Sequence, residues 1–230
     1  MTDTRKMFDD IAPSYDALNH IMSVNVDKSW RSRAIKELTE GGEPHTFLDV
    51  ACGTGDSTIA IAKAAGPEAK VTGVDISAGM MELVSGKAAK EGVLDRITLR
   101  LADGENLPYA DGSFQRVFCA FGIRTFTHKD KGLEEFRRVL VPGGKAVILE
   151  LSVPQGKILR GLYDIYFMHV LPFIGGVISG NKKAYRYLPA SVLAFPAPVR
   201  FCAMMKEAGF ENVRYRTMSL GLCRMFIGEK

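Results

Sequence analysis

Histidine and cysteine are scarce in this chain, and neither falls into a pattern that chemistry could use. The four histidines are scattered, so no metal centre is expected. The four cysteines, Cys52, Cys119, Cys202 and Cys223, show no C-x-x-C spacing. They read as buried free thiols of a reducing compartment, which excludes a disulfide framework. Long basic runs are missing too. Net charge is only +4 and the longest cluster is Arg31 to Lys36, so nucleic acid is not called for, although a mild attraction to anionic lipid remains open. The most apolar stretch, Ile165 to Ser179, carries His169 and Pro172 and falls short of the ~20 residues of a spanning helix. The N-terminus mixes Asp3, Arg5, Lys6, Asp9 and Asp10 with no apolar core, unlike a signal peptide. A cytoplasmic protein is expected, with peripheral contact at the inner face of the membrane left open. Repeats, low-complexity tracts and linkers are absent, and 230 residues of 47% hydrophobic content suffice for one domain, 1–230.

What is present centres on Thr46 to Thr58. A β-prone run (Phe47, Leu48, Val50) passes through Gly53 and Gly55 into a helix-like stretch, Ile59 to Ala65. Strand, glycine turn and helix open a nucleotide-binding α/β sheet. The dinucleotide fingerprint needs a third glycine where Thr58 stands, and Asp56 would repel a pyrophosphate at the helix N-terminus. A ligand with positive groups and no phosphate suits the loop better, and S-adenosylmethionine is such a ligand. Asp49, at the end of the strand, could meet its ammonium directly or through water.

The chain continues as alternating strands and helices. Residues 5–40 read as helical, with 1–42 forming a cover ahead of the sheet. Lys70 to Ile76 reads as the second strand, ending in Asp75 about twenty residues after Gly55, the spacing at which a carboxylate reaches a ribose diol. A helix from Ala78 to Glu91 and a third strand, Arg96 to Ala102, follow. Asp103 and Gly104 then stand at a strand's carboxyl end, where α/β sheets hold ligands; Asp103 could accept an adenine amino group. Strand four is read at Phe114 to Phe121. A helix from Asp130 to Leu140 is stopped by Val141-Pro142-Gly143-Gly144, and strand five runs from Lys145 to Leu151. This alternation implies a parallel sheet covered on both faces. Residues 156–195 break the pattern, being rich in Tyr, Phe, Leu and Ile, and read as a helical insert or lid. A helix at Val199 to Ala208 precedes two β-like runs, Asn212 to Met218 and Leu222 to Ile227, expected to pair antiparallel at the sheet edge.

The stretches L-D-V-A-C-G-T-G-D, A-D-G-E-N-L-P-Y, D-G-S-F and F-R-R-V-L-V-P-G-G-K resemble class I S-adenosylmethionine-dependent methyltransferases between Phe47 and Leu151. Further stretches, Y-D-A-L-N-H-I-M-S, F-G-I-R, H-V-L-P-F-I-G and Y-R-Y-L, make nearly the whole chain similar to the menaquinone/ubiquinone C-methyltransferase family. The resemblance implies a Rossmann-like, mostly parallel seven-stranded sheet with an antiparallel C-terminal edge strand. It implies S-adenosylmethionine as cofactor, with contacts at Thr54, Asp75, Asp103 and Gly104 beside the loop residues Asp49, Gly53 and Gly55. Two departures stand out: Ala51 holds a place that is glycine in many class I methyltransferases, and Thr125 follows F-G-I-R where the family commonly has Asn.

The implied reaction methylates a ring carbon of a reduced prenylated quinone. Demethylmenaquinol is the first choice of acceptor, and a ubiquinone-precursor benzoquinol is the alternative. The ring carbon becomes nucleophilic when the adjacent hydroxyl is a phenolate. Arg124 is the residue expected to stabilise that oxyanion, its alternative role being an ion pair with a carboxylate such as Asp130. His128 and His169 are candidate bases. An NAD-dependent oxidoreductase and a non-catalytic cofactor-binding subunit are the readings of other classes, and a homodimer is left open.

Overall fold

A computed structural model describes residues 5–10, 12, 25–154, 156, 160, 161 and 182–230. After a helical turn at 5–10, the elements are α1 (Val26–Thr39), β1 (Thr46–Val50), α2 (Asp56–Ala64), β2 (Lys70–Asp75), α3 (Ala78–Lys90), β3 (Ile97–Leu101), β4 (Phe114–Ala120), α4 (Lys129–Val139), β5 (Leu140–Leu151), α5 (Lys182–Ala194), α6 (Pro198–Glu207), β6 (Glu211–Met218) and β7 (Cys223–Glu229). The seven strands lie in the order β3-β2-β1-β4-β5-β7-β6. The first five pair in parallel, and β7 runs antiparallel to both β5 and β6. The expected antiparallel C-terminal pair is present, with β7 one place in from the edge and β6 outermost.

Side chains alternate across a strand, and the core is divided accordingly. Phe47, Phe118, Val147 and Ile227 face Trp30, Ile35, Leu38 and Ile61 on one side of the sheet. Their neighbours Leu48, Val117, Ile148 and Phe226 face Leu133, Phe136, Phe201 and Met205 on the other. The helix α1 is fastened at its C-terminal end, where carbonyls lack partners within the helix. Arg116 donates to the carbonyls of Leu38 and Gly41 (2.9 and 2.7 Å), and Lys145 Nζ donates to those of Glu37 and Glu40 (3.0 Å each). Glu37, buried on the same helix, is met by Arg214 and Arg216 of β6 at 2.8 and 3.0 Å.

One boundary differs from the sequence expectation. Val141 to Gly144 does not separate helix from strand; β5 starts at Leu140, which pairs with Phe114, and the register then shifts so that Arg116 faces Lys145. The segment is drawn into the sheet because the Gly143 N–H donates to the Lys230 carbonyl (2.7 Å) and the Lys230 N–H returns to Gly144 (2.9 Å). Pro142 loses nothing there, having no N–H to pair. No helix among the described residues is long and apolar enough to cross a membrane. Most of 156–181, with Tyr163, Tyr166, Phe167, His169 and Phe173, lies outside the described residues, as do Tyr15, Asp16, Asn19, Met22 and Ser23 of the N-terminal cover; Lys182–Ala194 is helical as expected.

Gly55 shows how the loop after β1 is packed. It caps α2 at φ 85°, and an added Cβ would stand 2.5 Å from Val84 Cγ1 of α3. Gly55→Ala combines a left-handed backbone with a steric clash, so we expect a loss of about 2–4 kcal/mol in urea unfolding with an unchanged m-value.

Candidate active site

A cleft of ≈ 770 Å³, counting its open mouth, lies over the carboxyl ends of β1, β2 and β4, where the strand order reverses direction. Its walls carry Gly53, Asp75, Asp103 and Gly104, four of the residues singled out from the sequence. Asp49, Thr54, Gly55 and Arg124 stand behind the walls. Asp75 and Asp103 are joined there by Glu105, and no Lys, Arg or His lines the cleft among the described residues.

Asp75 holds two loops together. Its Oδ2 accepts the Gly53 N–H (2.8 Å) and its Oδ1 accepts the Ser77 N–H (2.9 Å). Burial pushes its pKa up, and the two N–H bonds pull against that shift. The N-cap of α3 is Ser77, whose hydroxyl accepts the Met80 N–H, so that cap does not draw on the Asp75 carboxylate, which lines the cleft. Asp103 Oδ1 accepts the Glu105 N–H (2.9 Å), and Glu105 Oε1 accepts the Thr127 N–H (2.6 Å), which ties the loop after β3 to the wall at 125–127. A Cβ on Gly104 would fall 2.4 Å from Phe126 Cζ, and one on Gly132 would fall 2.6 Å from Phe126 Cδ2. The ring of Phe126 therefore occupies a slot that two glycines leave open.

Strain collects at the strand ends. Ala51 and Phe121 both have positive φ, 57° and 58°, a cost that non-glycine residues bear mainly at functional sites. Ala51 thus adopts the backbone that suits the glycine common in its place. Thr125 lines the cleft, with its hydroxyl turned back to the Gly122 carbonyl (2.7 Å).

Beneath the floor, Asp49 is buried. Its Oδ2 accepts the Thr58 hydroxyl (2.7 Å), and its Oδ1 has no hydrogen-bond partner. Burial raises its pKa to about 7, against the Thr58 bond and the nearby Arg31 charge, which lower it. A buried acceptor without a donor is costly, and an ammonium or a water held by one would satisfy it. S-adenosylmethionine fits this set: carboxylates for its ammonium, ribose diol and amino group, and an acidic lining compatible with a sulfonium. A dinucleotide would place two phosphates against that lining. Asp56, expected to repel them, is itself ion-paired with Lys87 and lies 3.9 Å from Arg31, so the acidic lining makes the stronger case.

Arg124 sits in the turn after β4, 8% exposed. Its carboxylate partner is Glu150, not Asp130: Nη1 donates to Glu150 Oε1 (2.8 Å) and to the Phe121 carbonyl, and the Arg124 N–H donates to Glu150 Oε2 (3.2 Å). Glu150 is fully buried in β5. The helix α5 packs on this turn. The phenol of Tyr187 on α5 is pushed up by burial, with Arg124 lowering it and Glu150 adding to the rise. His128 is exposed at the N-cap of α4 and makes no capping bond. Sequence reasoning missed Glu150, although a lone carboxylate in the apolar run V-I-L-E-L must be paired when buried. It also missed Phe8 and Phe126, for which nothing in the spacing offered a signal.

A model of the ubiE/COQ5 methyltransferase family matches residues 2–230. The chain is 44% identical over 228 residues to a ubiquinone/menaquinone biosynthesis C-methyltransferase of Geobacter sulfurreducens, covering 98% of this chain and 88% of the relative. It is 43% identical over 224 residues to a demethylmenaquinone methyltransferase of Thermus thermophilus, covering 97% of this chain and all of the relative (100%). Among solved structures, a SAM-dependent methyltransferase from Aquifex aeolicus superposes with a TM-score of 0.62 at 20% identity, over 85% of this chain and 88% of that one.

The site yields two expectations. Between about pH 4 and about 7 the folded chain holds a proton at Asp49 that the unfolded chain has released, so this residue lowers stability as pH rises through that window. An ammonium held near Asp49, directly or through water, would expel the same proton. The affinity for S-adenosylhomocysteine should therefore climb up to tenfold per pH unit below about 7 and level off above it. Calorimetry in two buffers of different ionisation heat should count up to one proton released, and Asp49→Asn should remove it. Separately, Gly104→Ala forces Phe126 to move and should weaken that affinity at least tenfold, read by the same titration, while the chain stays folded.

Proposed function

The chain belongs to the ubiE/COQ5 methyltransferase family, and on that premise we propose that it transfers a methyl group from S-adenosylmethionine to a ring carbon of a reduced prenylated quinone, demethylmenaquinol becoming menaquinol. The observation that carries the cofactor half is the acid-lined cleft with an unpartnered Asp49 oxygen beneath it. The acceptor half is supported by the names of the relatives. When bound, S-adenosylmethionine supplies an electrophilic methyl group on its sulfonium.

The chain's own residues hold and orient. Asp75 would accept the ribose hydroxyls and Asp103 the adenine amino group, with Phe126 in the wall beside Gly104. Asp49, beneath the wall, would answer the ammonium directly or through water. Arg124 acts on the acceptor by favouring the phenolate form of the hydroxyl beside the reacting carbon. Its charge is balanced by Glu150, so it works as an oriented ion pair, fixed in a region of low dielectric where such fields act strongly. Arginine does not take up the proton itself.

The acceptor's tail lives in a bilayer, so the enzyme meets it at a membrane surface. Residues 156–195, apolar and aromatic with Lys157, Arg160, Lys182 and Lys183 among them, are the segment suited to cover the acceptor site and rest on anionic lipid. The packing of α5 on the Arg124 turn supports that placement.

The test is a methyl-transfer assay with demethylmenaquinol beside a ubiquinone-precursor benzoquinol. Transfer to the naphthoquinol is expected, and transfer to neither would remove the proposal. Arg124→Lys, which keeps the charge but loses the planar fork, should lower kcat about 10²–10³-fold with S-adenosylhomocysteine affinity nearly intact. A parallel loss of cofactor affinity would make Arg124 a structural residue only.

A further inference from the structure

The helical turn at 5–10 presents two faces. Lys6 and Asp10 pair with each other on the outside at 3.2 Å, while Phe8 enters the wall of the cleft and Asp9 reaches the start of α3. Asp9 Oδ1 accepts the Ser77 hydroxyl at 2.5 Å and the Gly79 N–H at 3.2 Å. A carboxylate at a helix N-terminus answers both the unpaired N–H groups and the positive end of the dipole. Gly79 lets the turn come this close: a Cβ there would stand 3.3 Å from Asp9 Oδ1 and 3.6 Å from its Cα.

Ser77 is the meeting point. Its hydroxyl donates to Asp9 and accepts from Met80, and its N–H donates to Asp75. The residue that orients the cleft's central carboxylate is thus the one that anchors the N-terminal turn. Met80, one turn into α3, lines the cleft with Phe8.

We propose that Asp9 is a cofactor-positioning residue: by binding Ser77 and Gly79 it holds Phe8 over the nucleoside end of the cleft and retains the bound cofactor. This rests on the reading of the cleft as the cofactor site. Docking of the turn and occupation of the cleft then favour each other, because both act on the loop that begins α3.

The experiment compares dissociation rates of S-adenosylhomocysteine by stopped-flow fluorescence for wild type, Asp9→Ala, Asp9→Asn, Phe8→Ala and Asp75→Ala. Asp9→Ala loses both hydrogen bonds and should raise the off-rate about tenfold with little change in on-rate. Asp9→Asn keeps an acceptor oxygen and should recover most of that loss. Phe8→Ala, which leaves the anchor in place, should also speed release. In wild type, hydrogen exchange at residues 5–10 should slow when the ligand binds, and in Asp9→Ala it should not. If Asp75→Ala weakens binding while Asp9→Ala and Phe8→Ala leave the off-rate unchanged, the positioning role is wrong and the cofactor site stands. If Asp75→Ala also has no effect, both readings fall.

Discussion

Two backbone N–H groups from different loops, those of Gly53 and Ser77, point at one carboxylate, Asp75. That convergence fixes the turn after β1 against the turn after β2. Everything in contact with either turn inherits its position from there: the N-terminus of α2 through Gly55, the start of α3 through Ser77, and the helical turn at 5–10 through Asp9. Burial pushes the pKa of this carboxyl up, and the two N–H donors oppose that rise. The residue that best suits a ribose is therefore already rigid without a ligand, and a pre-oriented acceptor spends less free energy on ordering when a ligand arrives.

A second buried carboxylate works differently. Glu150 lies in a central strand with no route to water, and Arg124 supplies both a guanidinium N–H and a backbone N–H to it. Such a pair adds little net stability, yet removing either member strands the other. The cleft thus combines an acidic rim, suited to a cationic ligand, with an internally neutralised pair one loop away. The two can be altered separately, since they share no hydrogen bond among the described residues.

Much of the sheet was legible because burial leaves a plain record. Phe47-Leu48, Val71 with Val74, and Val147-Ile148-Leu149 are apolar on both faces, as strands under helices on either side must be. Asp75, Asp103 and Gly104 could be placed because an acidic residue or glycine at a strand's carboxyl end has few other reasons to be there. Long-range partners could not be read. That Arg124 would find Glu150 in place of Asp130 depends on the β4–β5 register, and that Asp9 would find Ser77 depends on a contact across most of a domain half. Pro142-Gly143-Gly144 misled for a local reason: its composition marks a break, and only pairing with Lys230 turns it into strand. Gly55 also leaves room for Val84 of α3, a packing role that its place in the glycine turn did not announce.

The position of β7 constrains how the molecule is made. It follows β6 in the chain yet lies between β5 and β6, so β6 has no neighbour to join until β7 is present. During synthesis from the N-terminus, the first five strands can assemble in turn while β5 waits with one side uncovered. For that interval the apolar run Ala146 to Leu149 is an unpaired sheet edge, the kind of surface that associates with other nascent chains. In the finished sheet β7 covers that edge and holds β6 outside it, where Arg214 and Arg216 meet Glu37 of α1. The youngest of those five strands is thus covered by one that lies further along the chain than its own outer neighbour.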